Sequence, residues 1–572
     1  MISASITPIE REDVRAARER ARTSVVVIGA GINGISTFRD LAMQGVDVLL
    51  VERDDFAAGA TAASSHMIHG GIRYLENGEF RLVKESVQER NGLLKIAPHY
   101  VKPLETTIPI YSTFSGILTA PLRFLTHKQG KPQERGAFLI KLGLTLYDTF
   151  SRDGGSVPRH RFHGRKKSLQ QLPKLDHDIK YTATYYDASV HDPERLALDV
   201  LRDGEAAHPG AHALNYVEAV GLDEQGVLLR DRETGSEFRI EADVVVNASG
   251  PWTDLTNDAL GTRTAFMGGT KGSHIVLDHP ELLDATAGRE IFFEHSDGRI
   301  VLIYPLKGRV LVGTTDLEAD PREPARCTEE EVQYFFDLIG HVFPTIDVDR
   351  SQIVYRYSGI RPLPHHDETA PGFVSRDYRI EQRKEPGLPA VFSLVGGKWT
   401  TFRALGENLA DRVLTELGRS RIASTVGVRI GGGNAYPRTP RRRIEWLRQN
   451  VGDTDRGRTL FVRYGTRAAE VAAFLAEGDD AQIVGDALST RELLWMVENE
   501  HVRHVTDVVL RRTDLAFTGN ANAAAVQAIA DGLAPLLGWD ASRVDDEVDA
   551  CLKVLHDEHG VSGPELDIRV VG

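Results

Sequence analysis

Residues 24–52 constrain the fold more tightly than any other stretch of the chain. SVVVIG is a short β-branched run, suited to a parallel strand buried on both faces. It leads directly into Gly29-Ala30-Gly31-Ile32-Asn33-Gly34, then ISTFRDLAMQG at helical spacing, then VDVLLVE, which ends on Glu52. Strand, glycines, helix, strand and terminal acid in this order predict a βαβ unit. Gly29 allows the tight turn, Gly31 lets the backbone approach a pyrophosphate, and Gly34 lets the helix pack close to the strand. The N-terminus of the helix offers N–H groups and a positive dipole end to phosphates. Glu52 is placed to accept hydrogen bonds from a ribose diol. The unit therefore predicts dinucleotide binding and does not by itself choose between FAD and NAD.

Three further glycine-rich turns follow. ADVVVNASGPW (242–252) is another strand ending in small residues, Ala248, Ser249 and Gly250. It reads as a return to the same cofactor or as a core strand with a plain turn. Ser358-Gly359-Ile360-Arg361-Pro362 and Gly396-Gly397-Lys398-Trp399-Thr400-Thr401 are the others. Their spread predicts a discontinuous cofactor domain interrupted by a substrate domain. KGSHIVL, IFFEH, RIVLIYPL and RVLVGTTD, between 266 and 316, suit an antiparallel sheet over a pocket. Beyond about 430 the runs become helical and are separated by Gly, Asp or Asn, which predicts a C-terminal helical domain.

At 572 residues the chain is long enough for several domains and a deep pocket. A net charge of −14 argues against nucleic acid as a partner. Cys327 and Cys551 build neither a disulfide framework nor a thiolate zinc site, and no metal is expected. Residues 9–22 read as a charged, exposed helix rather than a targeting signal, and no apolar run approaches the length of a membrane span. From Pro121 to Lys167, however, eleven Lys/Arg stand against three Asp/Glu among apolar groups. That stretch reads either as a surface for anionic lipid or as a solvated loop plus a core helix.

The densest chemical signal is GATAASSHMIHGGIRYLE, 59–76. Ser64 and Ser65 offer hydroxyls to phosphate oxygens, Gly70 and Gly71 let backbone approach a flat ligand, and Arg73 can clamp a phosphate through two parallel bonds. The block SSHMIHGGIRYLE, with GAGING before it and NASGPW, KGSH, VGTTD, SGIRPL, GGKWTTFR and VENEHVRHVTDVVLRRT after it, resembles the FAD-dependent glycerol-3-phosphate dehydrogenases and oxidases, in family order from about 23 to 555.

The resemblance implies an α/β fold: a discontinuous Rossmann-like FAD-binding domain (23–110, 190–265 and 350–415), an antiparallel-sheet substrate domain (111–189 and 266–349) and an all-helical C-terminal domain (430–572), after a charged extension (1–22). It implies noncovalent FAD and oxidation of the C2 hydroxyl of sn-glycerol 3-phosphate to dihydroxyacetone phosphate, with quinone or O2 as the electron acceptor. The setting it implies is cytoplasmic, peripheral on the membrane face, with a homodimer as one possible assembly. Arg73, Tyr74, Arg361 and Lys398 become the phosphate-binding set. A group must also accept the hydroxyl proton, and histidine suits that role; His274 is the first choice and His69 the second. The FAD contacts implied are Gly29, Gly31, Ile32, Asn33, Gly34 and Glu52 at the first turn, and Ser64, Ser65, Gly70 and Gly71 in the dense block. Val217, Ala248, Gly250, Trp252, Gly359, Gly397, Lys398 and Thr400 complete them.

Four departures from the family pattern stand out. His66 replaces a usual Lys or Arg, His191 a common acid, and Trp399 an aliphatic residue beside Lys398, and the basic segment is long. His66 takes a fixed charge away from its position, and the other three point to a longer polyol phosphate, such as a tetritol phosphate, as the alternative substrate.

Overall fold

The computed structural model describes residues 11–71, 80–112, 137–151, 157–294, 300–365 and 377–562. Arg73, Tyr74 and much of the basic segment, 121–136 and 152–156, lie outside the described residues.

The strand Arg22–Ile28 sits at the centre of an eight-stranded sheet. It pairs in parallel with Val48–Val51 on one side and Glu237–Asn247 on the other. Ala211–Leu214 and Ala390–Val395 extend the parallel core outward, and Arg379–Arg383 closes one edge antiparallel. Valines 25, 26 and 27 are fully buried because helices cover one face while a three-stranded layer and the N-terminal helix cover the other. The helices Ile32–Met43, Pro193–Ala207 and Phe402–Glu416 pack together on the first face. The N-terminal helix Glu12–Arg20 is charged as expected, yet Val14 anchors it in the core of the opposite face.

A second, ten-stranded sheet faces this layer. Its longest pairing runs antiparallel between Met267–Leu277 and Ile353–Pro364. Val101–Ile110 and Tyr181–Val190 form another long antiparallel pair, joined to the rest by a parallel contact with Glu290–Glu294. This corrects two boundaries. Val101–Ile110 and Ile353–Pro364 were expected with the cofactor domain but pair in the substrate sheet, because their register partners lie there. The helix Glu329–Val342 buries its apolar face against the side of this sheet turned away from the cofactor domain.

The C-terminal part is helical. Pro440–Asn450, Asp455–Tyr464, Thr490–Asn499, Ala523–Leu537 and Ala541–Asp557 enclose a separate apolar core. Thr439, Thr454, Asn522 and Asp540 each cap a helix start by accepting a backbone N–H. Among the described residues no helix is long and apolar enough to cross a membrane, and no cluster of side chains could hold a metal ion.

Candidate active site

The first glycine turn is closed by backbone on one side and open on the other. Gly29 has φ +101°, and a Cβ there would stand 2.7 Å from the Cα of Ser249. Ala248 lies just behind and donates its N–H to the Ile28 carbonyl at 2.8 Å. A Cβ on Gly34 would be driven into the Gly29 carbonyl, so this glycine sets how near the helix sits to the strand. Opposite Gly31 the one close atom is Thr61 Oγ1, at 3.3 Å.

Nothing in the sequence marks Thr61, which looks like one small residue among several. Its hydroxyl accepts the Ile32 N–H at 2.9 Å and its carbonyl accepts the Trp399 indole N–H at 3.2 Å. Ile32, expected among the cofactor contacts, gives its N–H to Thr61.

Glu52 accepts N–H groups from Ala30 at 2.8 Å and Asp54 at 3.1 Å. Burial and the neighbouring Asp54 carboxylate raise its pKa to about 6. A carboxylate has about four acceptor positions, so the two bonds leave capacity for a ribose diol. The Val217 N–H donates to the Glu52 carbonyl at 2.8 Å and ties the next strand to this acid.

At the other end of the cradle, Gly397 has φ +114°, and a Cβ there would meet Asn33 Nδ2 at 2.9 Å. Asn33 Oδ1 is buried and lacks a partner among the described residues. Gly250 has φ +62° with no atom within 4 Å of the position a Cβ would take. An open glycine turn, a helix start where Gly31 brings no capping side chain, an acid with spare acceptors and an orphaned buried amide oxygen together fit an extended dinucleotide. Trp252 is fixed by two contacts within the protein. Its indole N–H donates to the Pro321 carbonyl at 2.8 Å, and Arg53 lies over its ring at 4.6 Å.

The dense loop is pinned to the substrate sheet. The Tyr357 hydroxyl donates to the Ser64 carbonyl at 2.8 Å, and the Tyr304 hydroxyl to the Ser65 carbonyl at 3.1 Å. Sequence reasoning misses both tyrosines, since nothing local marks a side chain that anchors a distant loop. The two serine hydroxyls expected on phosphate oxygens are used within the protein. Ser64 Oγ accepts the His66 N–H at 3.3 Å, and Ser65 Oγ lies 2.8 Å from His274 Nε2.

His274 is 2% exposed, and its Nδ1 is buried without a partner among the described residues. Burial, Arg361 and His66 hold its pKa well below the usual histidine value, so the ring is neutral. Arg361 donates to Asp316 at 2.9 Å and to the Thr314 hydroxyl and Thr315 carbonyl at 2.9 Å each. A carboxylate and a carbonyl thus fix the plane of its guanidinium. Behind it, Glu331 gathers Lys271 at 2.8 Å, Ser273 at 2.7 Å and Thr315 at 2.6 Å. A Cβ on Gly359 would stand 2.5 Å from the Cβ of Ala63, so this glycine lets the sheet touch the dense loop.

Lys398 enters from the cofactor domain. It is 7% exposed and donates to Ser86 Oγ at 3.0 Å. The Thr400 hydroxyl reaches the His69 carbonyl at 3.4 Å and brings the two loops together. Gly70 is buried, and its N–H is shared by Tyr147 and Asp187 at 3.1 Å each. Asp187 in turn pairs with the fully buried Arg90 at 2.7 Å. Gly70 packs against the Tyr147 ring, where a Cβ would be driven into its hydroxyl, and Gly71 follows with φ +74°.

Among the departures, His66 is buried, bonds the Val190 carbonyl at 3.0 Å and has its pKa pushed down to about 4 by burial and Lys307. His191 is held down to about 4 by burial. Trp399 packs edge-on to Phe402 against the core of the cofactor domain. Burial raises both cysteine thiols to about 12, which leaves them unreactive.

A Rossmann-like cradle facing a sheet that carries a neutral histidine and an arginine defines a dinucleotide-dependent oxidoreductase. Comparison with known proteins gives the family. Residues 24–412 match the FAD dependent oxidoreductase family, and residues 423–544 match the C-terminal domain of alpha-glycerophosphate oxidase. A glycerol-3-phosphate dehydrogenase of Synechocystis is 32% identical over 92% of this chain and 94% of its own. A D-erythritol 1-phosphate dehydrogenase of Brucella abortus is 31% identical over 85% of this chain and 93% of its own. The fold matches a glycerol-3-phosphate dehydrogenase from Bacillus halodurans, complexed with FAD, at a TM-score of 0.71 and 24% identity, covering 94% of this chain and 97% of that one. The chain belongs to the FAD-dependent glycerol-3-phosphate dehydrogenase family of flavin oxidoreductases. Its cofactor is FAD.

Proposed function

We propose that this protein oxidises the C2 hydroxyl of sn-glycerol 3-phosphate to dihydroxyacetone phosphate and passes the electrons to a membrane quinone. The observation that carries this reading is the Ser65–His274 hydrogen bond, set on the sheet that also bears Arg361. Bound FAD supplies the two-electron acceptor for the hydride at C2. The chain supplies the base and the phosphate site.

Ser65 is the partly exposed end of the pair and His274 the buried end. The hydroxyl proton passes to Ser65 Oγ as that group gives its own proton to Nε2. The neutral ring is ready to accept it. Arg361 opposes an imidazolium by charge, and a phosphate dianion bound at Arg361 offsets that repulsion. Substrate therefore raises the proton affinity of its own base. Lys398, Arg73 and Tyr74 complete the anion site in this reading, and His69 is its second candidate for the base.

Anaerobic titration of the flavin-loaded protein with sn-glycerol 3-phosphate tests the proposal. Stoichiometric bleaching of the visible flavin band supports it, and a flavin that stays yellow overturns it. Peroxide yield with and without a quinone analogue then separates a quinone from O2 as acceptor. A second reading, a four-carbon polyol phosphate, rests on the similarity to the Brucella enzyme. A higher kcat/KM for erythritol phosphate than for glycerol 3-phosphate would favour it.

Membrane docking belongs to the same proposal. Phe138 and Leu142 lie one turn apart on the helix Ala137–Ser151 and are 56% and 51% exposed, with the exposed Lys141 between them. Co-sedimentation with anionic but not neutral vesicles is the expected result, weakened by Phe138→Ser with Leu142→Ser.

A further inference from the structure

The Arg511-Arg512 pair ends the C-terminal block that stood out in the sequence, and the chemistry above does not use it. Both side chains cross to the cofactor domain and meet Asp55. Arg512 Nη1 lies 2.6 Å from Oδ2 and Nη2 lies 2.9 Å from Oδ1, while Arg511 Nε reaches Oδ2 at 2.5 Å. Asp55 is 0% exposed and comes three residues after Glu52, the acid read above as the acceptor for a ribose diol.

The loop that carries Glu52 is tied at several points besides Asp55, and Asp55 is where the C-terminal domain grips it. Arg53–Asp55 belongs to neither helix nor strand. Its other ties run to Arg232, which donates to the Arg53 carbonyl at 2.8 Å and pairs with Asp54, and to Ala30, whose N–H the Glu52 carboxylate accepts at 2.8 Å. They also run to 214–217: Glu52 N–H to the Leu214 carbonyl at 2.9 Å, Val217 N–H to the Glu52 carbonyl at 2.8 Å, and Tyr216 N–H to the Asp54 carbonyl at 3.0 Å. The C-terminal domain grips this second segment too. The Asn215 amide donates to Asp55 Oδ1 at 3.1 Å and to the His501 carbonyl at 2.8 Å, and the Tyr216 hydroxyl donates to Asp507 at 2.5 Å. Arg512 is fixed from its own side as well, through Nη2 to the Glu500 carbonyl at 2.7 Å.

A carboxylate in a fully buried position stays charged only if cations meet it there. Burial alone would raise the Asp55 pKa, and Arg512 and Arg511 together hold it well below the usual carboxylate range. A two-point guanidinium–carboxylate contact fixes direction as well as distance. The contact therefore locates the loop, which a flexible surface ion pair would not do.

We propose that Arg512, supported by Arg511, is a positioning residue for the adenosine half of FAD: from the C-terminal domain it holds Asp55, and through Asp55 it sets the Glu52 loop against the ribose site. The helical domain is then part of the cofactor's grip and not an appendage to it.

The test is FAD release from the full-length holoenzyme on serial dilution, read by flavin fluorescence, with ADP as a competing probe of the adenosine site. Arg512→Ala and Asp55→Asn are expected to weaken FAD and ADP binding together, by about tenfold or more. Arg512→Lys keeps the charge but loses the fork, and should fall between these variants and the wild type. Arg467→Ala is the control for domain docking. Arg467 joins the same two domains through Asp199 and Asp203, at 2.7 Å each, on the helix Pro193–Ala207. It should leave both affinities within about twofold of the wild type. The proposal is overturned if Arg467→Ala weakens FAD as much as Arg512→Ala, or if Arg512→Ala and Asp55→Asn leave both affinities unchanged. Should Arg512→Ala give no soluble protein, Arg512→Lys and Asp55→Asn are read against the same criteria.

Discussion

The imidazole of His274 lies face to face with the ring of Tyr357, with centroids 4.8 Å apart and planes 13° from parallel. The two residues are direct register partners on adjacent strands, so the stack follows from sheet pairing. The same tyrosine hydroxyl holds the Ser64 carbonyl, and Tyr304 holds the Ser65 carbonyl beside it. One ring thus orients the base and, through its hydroxyl, anchors the loop that brings Ser65 to that base.

Ser65 and His274 should therefore act as a unit. Ser65→Ala and His274→Asn are each expected to slow flavin reduction by about a hundredfold, with FAD content unchanged. The double variant should be little slower than either single one. Anaerobic stopped-flow reduction by glycerol 3-phosphate measures all three, and independent, multiplying losses would dissolve the pair.

The depressed pKa of His274 has a consequence for the pH profile. A base must be unprotonated to act, and burial and Arg361 keep this ring neutral below the usual histidine range. The second-order rate of flavin reduction at low substrate, which reports the free enzyme, should hold its plateau as pH falls through about 6.5 and decline only at lower pH. Arg361→Gln removes one source of the depression, so the acid limb should move to higher pH while KM for the phosphate rises. An acid limb centred on the ordinary histidine value in the wild type would exclude His274 as the base.

How much of this is legible in the sequence depends on how local each cause is. Gly29 and Gly34 can be read directly, because a turn that excludes a Cβ leaves its mark at the residue itself. Ser65 and His274 are each visible, but their contact spans 209 positions and is made by sheet pairing, which leaves no local trace. KPLETTIPI has the same alternation whichever sheet it joins, so only its register partners place Val101–Ile110 in the substrate sheet. Trp399 draws attention as a bulky residue beside Lys398, yet only the fold shows its indole turned toward Thr61.

The glycine turn separates a packing role from a ligand role. A Cβ on Gly34 drives into backbone, so Gly34→Ala should destabilise the protein by about 1–3 kcal/mol, and FAD should be lost with it. Gly31 faces only a threonine hydroxyl at 3.3 Å. Gly31→Ala should leave thermal unfolding of the flavin-free protein close to wild type while weakening FAD retention. Comparing the two melting curves with and without added FAD checks this, and equal destabilisation of both flavin-free variants would contradict it.

The last prediction concerns how the C-terminal domain is held as pH changes. His504 sits between two acids, with Nε2 2.9 Å from Glu233 and Nδ1 2.8 Å from Glu547, and Asp507 close by. Arg543 shares both glutamates, at 3.8 Å and 2.8 Å. Burial opposes a charged ring here, but hydrogen bonds to Glu233 and Glu547, together with the Asp507 charge, outweigh it and raise the pKa to about 10. The folded state therefore binds this proton more tightly than the unfolded chain, whose histidine titrates near about 6.5. The stabilisation is complete below that value, declines as pH rises and is gone once pH passes the folded pKa. His504→Gln should accordingly lower Tm most at about pH 6, and the gap to wild type should narrow steadily towards pH 10. Melting curves at several pH values across that window measure the gap. A gap that stays constant would mean the ring is held neutral and contributes through packing against Tyr216, whose ring centroid is 4.6 Å away.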